Sequence, residues 1–384
     1  MLKIYKRATI YSMDDTNTIY ECADLWIENN KIMKITEEEN YPAEAEVIDC
    51  QGKIITPGLI DVHTHVGIWG EIDDAINDAC EYSSPFTPTL RAIDGVNENH
   101  FSFDLARQGG VTTVQTGAGS ANPIGGVWTI LKTAGETIED MILVEKSGLK
   151  GAFGENPKNM FGQVYGKEPY TRMGVAHIIR DGFERAQQLT IEEQDEQITY
   201  DLELAPFIEV LRGDMPLHLH CHRADDIATA IRIAKEFNVK LHLQHATEGH
   251  FMLEAIKESG ATVTLGPYMS PSPKYESKYG HPSNPKKFNE AGINVAIMTD
   301  HPFIPIQYLN VCAAEAARQG MDTMEALRSI TSQAAIQMEI ADRVGSLETQ
   351  KDADFVIWTH HPFHEETNVL ETYINGKRVY SIDE

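Results

Sequence analysis

Basic residues are scarce. The 384-residue chain has 32 lysines and arginines against 58 aspartates and glutamates, a formal net charge of −26. A surface of that sign repels phosphate backbones and anionic lipid, which argues against nucleic acid or a membrane surface as a partner. Cysteine is also sparse, and odd in number: Cys22, Cys50, Cys80, Cys221 and Cys312 are scattered, with no CxxC pair. This excludes a zinc ribbon and a disulfide framework, and points to reduced thiols in a cytoplasmic protein. No apolar run approaches the ~18 residues of a membrane helix. The opening MLKIYKRATIYSMDD has neither a long apolar segment nor a small-residue cleavage site, so no secretory leader is expected. No GxGxxG or P-loop follows the early strands, which removes the common nucleotide-binding signatures.

What is present is a globular composition with 42% hydrophobic residues, enough for a large core. The first 50 or so residues read as short strands separated by Asp-Asp, Asn-Asn and Gln-Gly turns, and the last 40 or so read alike, with Asn375-Gly376 as a hairpin turn. Between them, apolar runs alternate with helical stretches. Eight runs are strand candidates: 59–65, 111–117, 127–133, 149–155, 216–222, 240–246, 261–267 and 294–300. Eight strands with crossover helices predict an α/β fold, a TIM-like (β/α)8 barrel over 58–342. The two ends, 1–57 and 343–384, are expected to form a discontinuous β-sandwich beside it. The Pro/Ser-rich segment 267–285 reads as a long loop after the seventh strand, on the face where barrel enzymes keep their sites.

The chemistry sits at the strand ends. His63 and His65 lie two apart on the first candidate strand, so both imidazoles project to one side near its C-terminal end. The alternative is a pair of polar residues at a strand end, but the apolar entry PGLIDV favours a site. His218, His220 and His222 share one face of another strand, and burying three imidazoles without a task is costly. His220 and His222 are nearer the C-terminal end; His218 reads as a deeper, satisfied histidine. On the next strand His245 is better placed than His242, which reads as structural. Cys221 is turned away from its histidine neighbours by strand alternation and reads as packing. Asp300 closes the apolar run NVAIM, either as a ligand or as the N-cap of a helix that Pro302 would open. Glu155 ends the 149–155 run, as a ligand or as a loop ion-pair partner of Lys158. Imidazole with carboxylate suits Zn²⁺, and Mn²⁺, Fe²⁺ or Co²⁺ also fit.

The order PGLIDVHTH, a glutamate after strand 4, histidines on strands 5 and 6 and TD on strand 8 resembles the amidohydrolase superfamily, with imidazolonepropionase and its relatives nearest in pattern. The resemblance spans nearly the whole chain, including the closing GSLETQKDADFVIW and INGKRVY. It implies that His63, His65 and Asp300 hold one divalent metal, that His220 and His245 hold a second or share the first, and that Glu155 takes the place a carboxylated lysine fills in many relatives. It also implies a metal-activated water, with Asp300 as proton shuttle and His222 and His301 as groups that orient or protonate the substrate. Asn122, in the loop 117–126, and Arg172, as a carboxylate clamp, are the candidate substrate contacts; a plain flexible loop and a surface ion pair are the alternatives. The implied reaction is hydrolysis of an amide or cyclic amide C–N bond of a small molecule. Deamination of an amino-heterocycle or Xaa-Pro dipeptide cleavage would use the same site, and a non-catalytic binding barrel is the reading from another class. Assembly into a homo-oligomer is left open.

Overall fold

The structure, a computed structural model, describes all residues except 38–39, 71–76, 195–200, 271–273 and 384. Two eight-stranded sheets organise it. The first gathers both ends of the chain: β1 (Leu2–Tyr11), β2 (Ile19–Glu28), β3 (Lys31–Thr36), β4 (Glu46–Asp49) and β5 (Ile54–Pro57) from the front. β14 (Phe355–Trp358), β15 (Val369–Ile374) and β16 (Lys377–Ser381) come from the back. The order is β16-β15-β14-β5-β1-β2-β3, with β4 also on β1. β14 runs antiparallel to β5, which joins the two ends. Asn375 and Gly376 turn β15 into β16, both with positive φ (52° and 71°), as a tight hairpin requires. Tyr5, Leu25, Ile55, Phe355 and Tyr373 are buried together in a core of their own, fed by both ends.

The second sheet follows chain order: β6 (Leu59–Thr64), β7 (Val111–Thr116), β8 (Ile124–Lys132), β9 (Ile142–Ala152), β10 (Leu217–Cys221), β11 (Leu241–His245), β12 (Thr262–Leu265) and β13 (Val295–Ile297). All eight expected runs are strands. They are not all parallel, however: β8 pairs antiparallel with both β7 and β9. Only Gly117–Pro123 separates β7 from β8, and a one-turn helix lies between β8 and β9. A parallel crossover needs a dozen residues or more, so the chain has to double back here. The sheet closes where Thr64 pairs with His301 and the His65 N–H donates to the His301 carbonyl (3.0 Å).

Elsewhere helices cover the barrel in the ordinary way. Ala224–Phe237 buries Ile227, Ala230, Ile233, Ala234 and Phe237, a stripe at helical spacing, and ends at Asn238 in the left-handed region (φ 52°). Lys132, buried at the end of β8, ties the two sheets together. Its Nζ lies 2.7 Å from Asp352 Oδ2 and 3.1 Å from Asp354 Oδ2, and donates to Asn375 Oδ1 (2.6 Å). Among the described residues no helix is long and apolar enough to cross a membrane.

Candidate metal centre

The barrel's C-terminal mouth opens into a cavity of about 400 Å³ lined by His65, His220, His222, His245 and Asp300, among others. Two sets of side chains there each bring three ligand atoms within 4.8 Å of one another: His220, His222 and His245, and His63, His245 and Asp300. His245 belongs to both. His65 joins through Asp300, whose Oδ1 lies 3.2 Å from His63 Nε2 and 3.5 Å from His65 Nε2.

The backbone aims these groups. His63 is held by Asp61, whose Oδ1 accepts the His63 N–H (3.2 Å) and whose Oδ2 accepts the Thr299 N–H and hydroxyl (3.1 and 2.6 Å). One carboxylate thus pins the first strand to the segment that carries Asp300. His65 Nδ1 faces the Gly117 carbonyl (2.8 Å) and His245 Nδ1 the Gly266 carbonyl (2.9 Å), which leaves Nε2 of each to the cavity. Gly117 cannot be larger: a Cβ there would meet the Trp128 ring at 2.0 Å, and that ring packs on His63 at 4.8 Å. His245 and Asp300 both adopt positive φ (70° and 52°), a conformation that is costly for non-glycine residues.

The cluster fits a divalent metal. Nδ1 of His63, Nδ1 of His220 and Nε2 of His222 are buried without a hydrogen-bond partner, a costly state unless another acceptor of their lone pairs is bound. Burial holds His63, His220 and His222 neutral well below the ordinary histidine range and brings His245 down to about 4. Asp300 is pulled the other way. Burial alone would raise its pKa, but the rings that face it, first His63 at 3.2 Å and then His65 and His245, keep it well below the usual carboxylate range. Neutral imidazoles beside an ionised carboxylate are what a divalent cation needs.

Of the residues expected from sequence, His63, His65, His220, His222, His245 and Asp300 are brought together. Four others are placed differently. Glu155 lines the mouth but lies outside both ligand sets, and its backbone N–H donates to Glu276 Oε2 (3.0 Å). His301 is buried but does not line the cavity; its Nδ1 accepts the Ile306 N–H (3.0 Å). Asn122 is a loop clamp, with Nδ2 donating to the carbonyls of Glu81 and Ser84 (2.6 and 2.8 Å). Arg172 is paired with Asp226 (3.0 Å) and Glu276 (3.2 Å), two buried carboxylates that occupy its guanidinium. His218 is the satisfied histidine its depth implied, between Ser147 O and Gln244.

Two residues of the site escape a reading of the sequence. Asp61 lies in view inside PGLIDVHTH, at i−2 from His63 and hence on the same strand face. Lys150 lies on β9, fully buried, its Nζ donating to Gln244 Oε1 (2.8 Å) and Ser120 Oγ (3.2 Å) and sitting 4.7 Å over the Trp128 ring that also packs on His63. Burial brings its pKa down to about 7, although the charge of Asp300 pulls the other way. Its signal is a lysine within the run LKGA, in the buried half of β9.

Residues 54–379 match the sequence profile of the Amidohydrolase family. The chain belongs to that family. The crystal structure of an amidohydrolase from Thermotoga maritima superimposes with a TM-score of 0.94 at 35% identity, covering 99% of this chain and all of that one. Amidohydrolase tasK of Hapsidospora irregularis is 27% identical over 92% of this chain, which spans only 39% of that longer protein. The imidazolonepropionase of Thermoplasma volcanium is 23% identical over 94% of this chain and 91% of its own length. Family membership makes the protein a hydrolase, in keeping with the histidine and aspartate cluster at the barrel mouth.

Proposed function

We propose that this amidohydrolase is metal-dependent and cleaves the C–N bond of an amide or cyclic amide in a small molecule. The observation that carries the reading is the pair of three-ligand sets sharing His245 at the mouth of the barrel. His63, His65 and Asp300 would hold one ion, and His220 and His245, with His222, a second; Zn²⁺ suits this donor set best. Bound there, the metal supplies a Lewis acid that polarises the carbonyl and makes water acidic enough to attack near neutrality. The chain's own residues do the rest. Asp300, ionised and within 3.2 Å of His63, takes the proton of the attacking water and returns it to the departing nitrogen. Asp61 keeps Asp300 and His63 in register, and His222, fixed through Nδ1 to Thr247 Oγ1 (2.7 Å), presents Nε2 to the cavity.

Lys150 enters the same reading in the role that resemblance gave to Glu155. A neutral amine attacks CO₂, forming an N–C bond and releasing a proton. The resulting carbamate would add a carboxylate-like ligand beside His63. The strands of residues 1–57 and 343–384 would form the second unit of this reading, a β-sandwich; the sheet that gathers both chain ends and its separate core support it. The five free thiols support a cytoplasmic setting.

The test is zinc-reconstituted protein assayed on lactams, imidazolones, N-acyl amino acids, dipeptides and amino-heterocycles, with metal content measured alongside. C–N hydrolysis that a chelator abolishes, and metal lost in H63A/H65A, are the expected results. Ammonia release from an amino-heterocycle without amide cleavage would replace the reading by deamination, and equal metal in both proteins would remove His63 and His65 from the site.

A further inference from the structure

The cavity is not symmetric about its ligands. Among the described residues Lys274 is the one lysine or arginine that lines it. It lies in the loop after β12, half-buried, with 21% of its side chain exposed. Two contacts fix its ammonium: Asn156 Oδ1 at 2.9 Å and Glu276 Oε1 at 3.2 Å. An ammonium has three N–H groups, so one is left for the cavity. Asn156 in turn places its Nδ2 3.4 Å from His220 Nε2. The cation is therefore one amide side chain away from the His220, His222 and His245 set, and its charge reaches all three rings.

The other ligand set has a different neighbour. Trp69 packs 5.5 Å from the His65 ring, and Phe303, which is 47% exposed, packs 5.7 Å from Trp69. Both line the cavity, as does the half-exposed Tyr82. An apolar wall thus flanks His63, His65 and Asp300, while a cation flanks His220, His222 and His245.

We propose that the substrate is an N-acyl α-amino acid with an apolar or aromatic acyl group, its α-carboxylate bound by Lys274 and its acyl chain on Trp69 and Phe303. The polarity follows from reach. An α-carboxylate is one carbon from the amide nitrogen, so an anion next to the scissile bond suits a cation this near the ligands. The acyl chain then extends along the other side, over the aromatic wall. Arg172, held by Asp226 and Glu276, takes no part, because it does not line the cavity. Lys274 is a specificity residue in this arrangement; the amide is cut by the residues named above.

This inference rests on the proposed C–N hydrolysis, and a pair of probes that cannot be hydrolysed separates the two. In 4-oxo-6-phenylhexanoate a methylene replaces the amide nitrogen of 3-phenylpropanoyl-glycine; its carboxamide differs only in charge. Calorimetric titration of zinc-loaded wild type should show the acid bound ~10-fold or more tighter than the carboxamide, the scale of one charge-assisted hydrogen bond. Lys274→Met should collapse that ratio, and Lys274→Arg should keep part of it. 4-Oxopentanoate, without the benzyl group, should bind more weakly to wild type, and Phe303→Ala should narrow that gap. Equal affinity of acid and carboxamide for wild type, a preference that survives in folded Lys274→Met, no binding of either probe, or 4-oxopentanoate binding as tightly as the phenyl acid would each overturn the proposal. If the acid binds through Lys274 but 3-phenylpropanoyl-glycine is not cut, the subsite stands and the C–N hydrolysis reading fails.

Discussion

In the proposed mechanism Asp300 has to meet two demands at once, ligand and base, and its surroundings suit both. It is buried, yet His63, His65 and His245 keep it ionised. Asp300→Asn keeps the size and a weakly coordinating oxygen but cannot take a proton. Metal content should fall only in part, while kcat on the true substrate falls by ~10²-fold or more, the scale of a lost general base; near wild-type turnover would reduce Asp300 to a structural role. Lys150 makes a separate prediction. An amine brought down to about 7 is about half neutral, and so nucleophilic, near pH 7, and dissolved CO₂ is present in any aerated buffer. Protein equilibrated with ¹³C-bicarbonate should show a carbamate carbon signal that Lys150→Met lacks. The same signal in both proteins, or in neither, would leave Lys150 as a neutral hydrogen-bond donor to Gln244 and Ser120. At this scale the sequence was legible where spacing decides direction: His63 and His65, and His220 and His222, share faces because a strand repeats every two residues. It was not legible where a loop decides. Asn122 and Arg172 looked like substrate contacts because nothing local reveals that Glu81, Ser84, Asp226 and Glu276 come back in space to claim them.

At the scale of elements, periodicity and turn residues were enough to find all eight barrel strands and the Asn375-Gly376 hairpin, but not their directions. The antiparallel β8 was readable in principle from the seven residues Gly117–Pro123, too few for a crossover, yet the apolar pattern of a buried strand is the same either way. The junction of the two sheets was also hidden, since Asp352 and Asp354 lie 220 and 222 residues from Lys132 in sequence. That junction is testable. Lys132 sits between two buried carboxylates, and removing it leaves Asp354 with only the Asn375 N–H (2.7 Å), whereas Asp352 keeps Lys31 and Arg343. Lys132→Met should cost about 3 kcal/mol in denaturant unfolding, as for other buried pairs broken on one side. Adding Asp354→Asn should recover part of that loss, because the uncompensated charge is then gone. A double variant less stable than the single one by the full additive amount would show that Lys132 and Asp354 are not coupled.

For the whole molecule, the buried histidines set how the fold responds to acid. Six of them, His63, His218, His220, His222, His242 and His245, have pKa values lowered by burial. A group whose folded pKa lies below its unfolded value, ~6.5 for histidine, contributes stability that is present above the unfolded value and is lost as pH falls through it, because the unfolded chain then binds the extra protons. His242 and His245 complete their loss near about 4. Three carboxylates oppose this. Burial raises Asp61 to about 7 and Asp226 to about 6, and Asp354 is raised as well, so these bind protons in the folded state that the unfolded chain holds only at lower pH. Lys150, also lowered, acts between its folded value of about 7 and ~10.4, above this window. The partly buried His250 and His361 are lowered as well, and Glu155 is raised, so the histidines outnumber the opposing carboxylates and the net is a few protons, each worth ~1.4 kcal/mol per pH unit. Metal-free protein should therefore lose thermal stability steeply between about pH 6.5 and 5, before ordinary carboxylates titrate. Zinc binds only the neutral rings, so at neutral pH it should raise the melting temperature in proportion to the logarithm of its free concentration, and this gain should shrink as pH falls. A melting temperature that stays flat or rises between about pH 6.5 and 5 in the metal-free protein would mean that the histidine cluster is open enough to protonate in the folded state, and the neutral ligand set proposed for the metal would have to be given up.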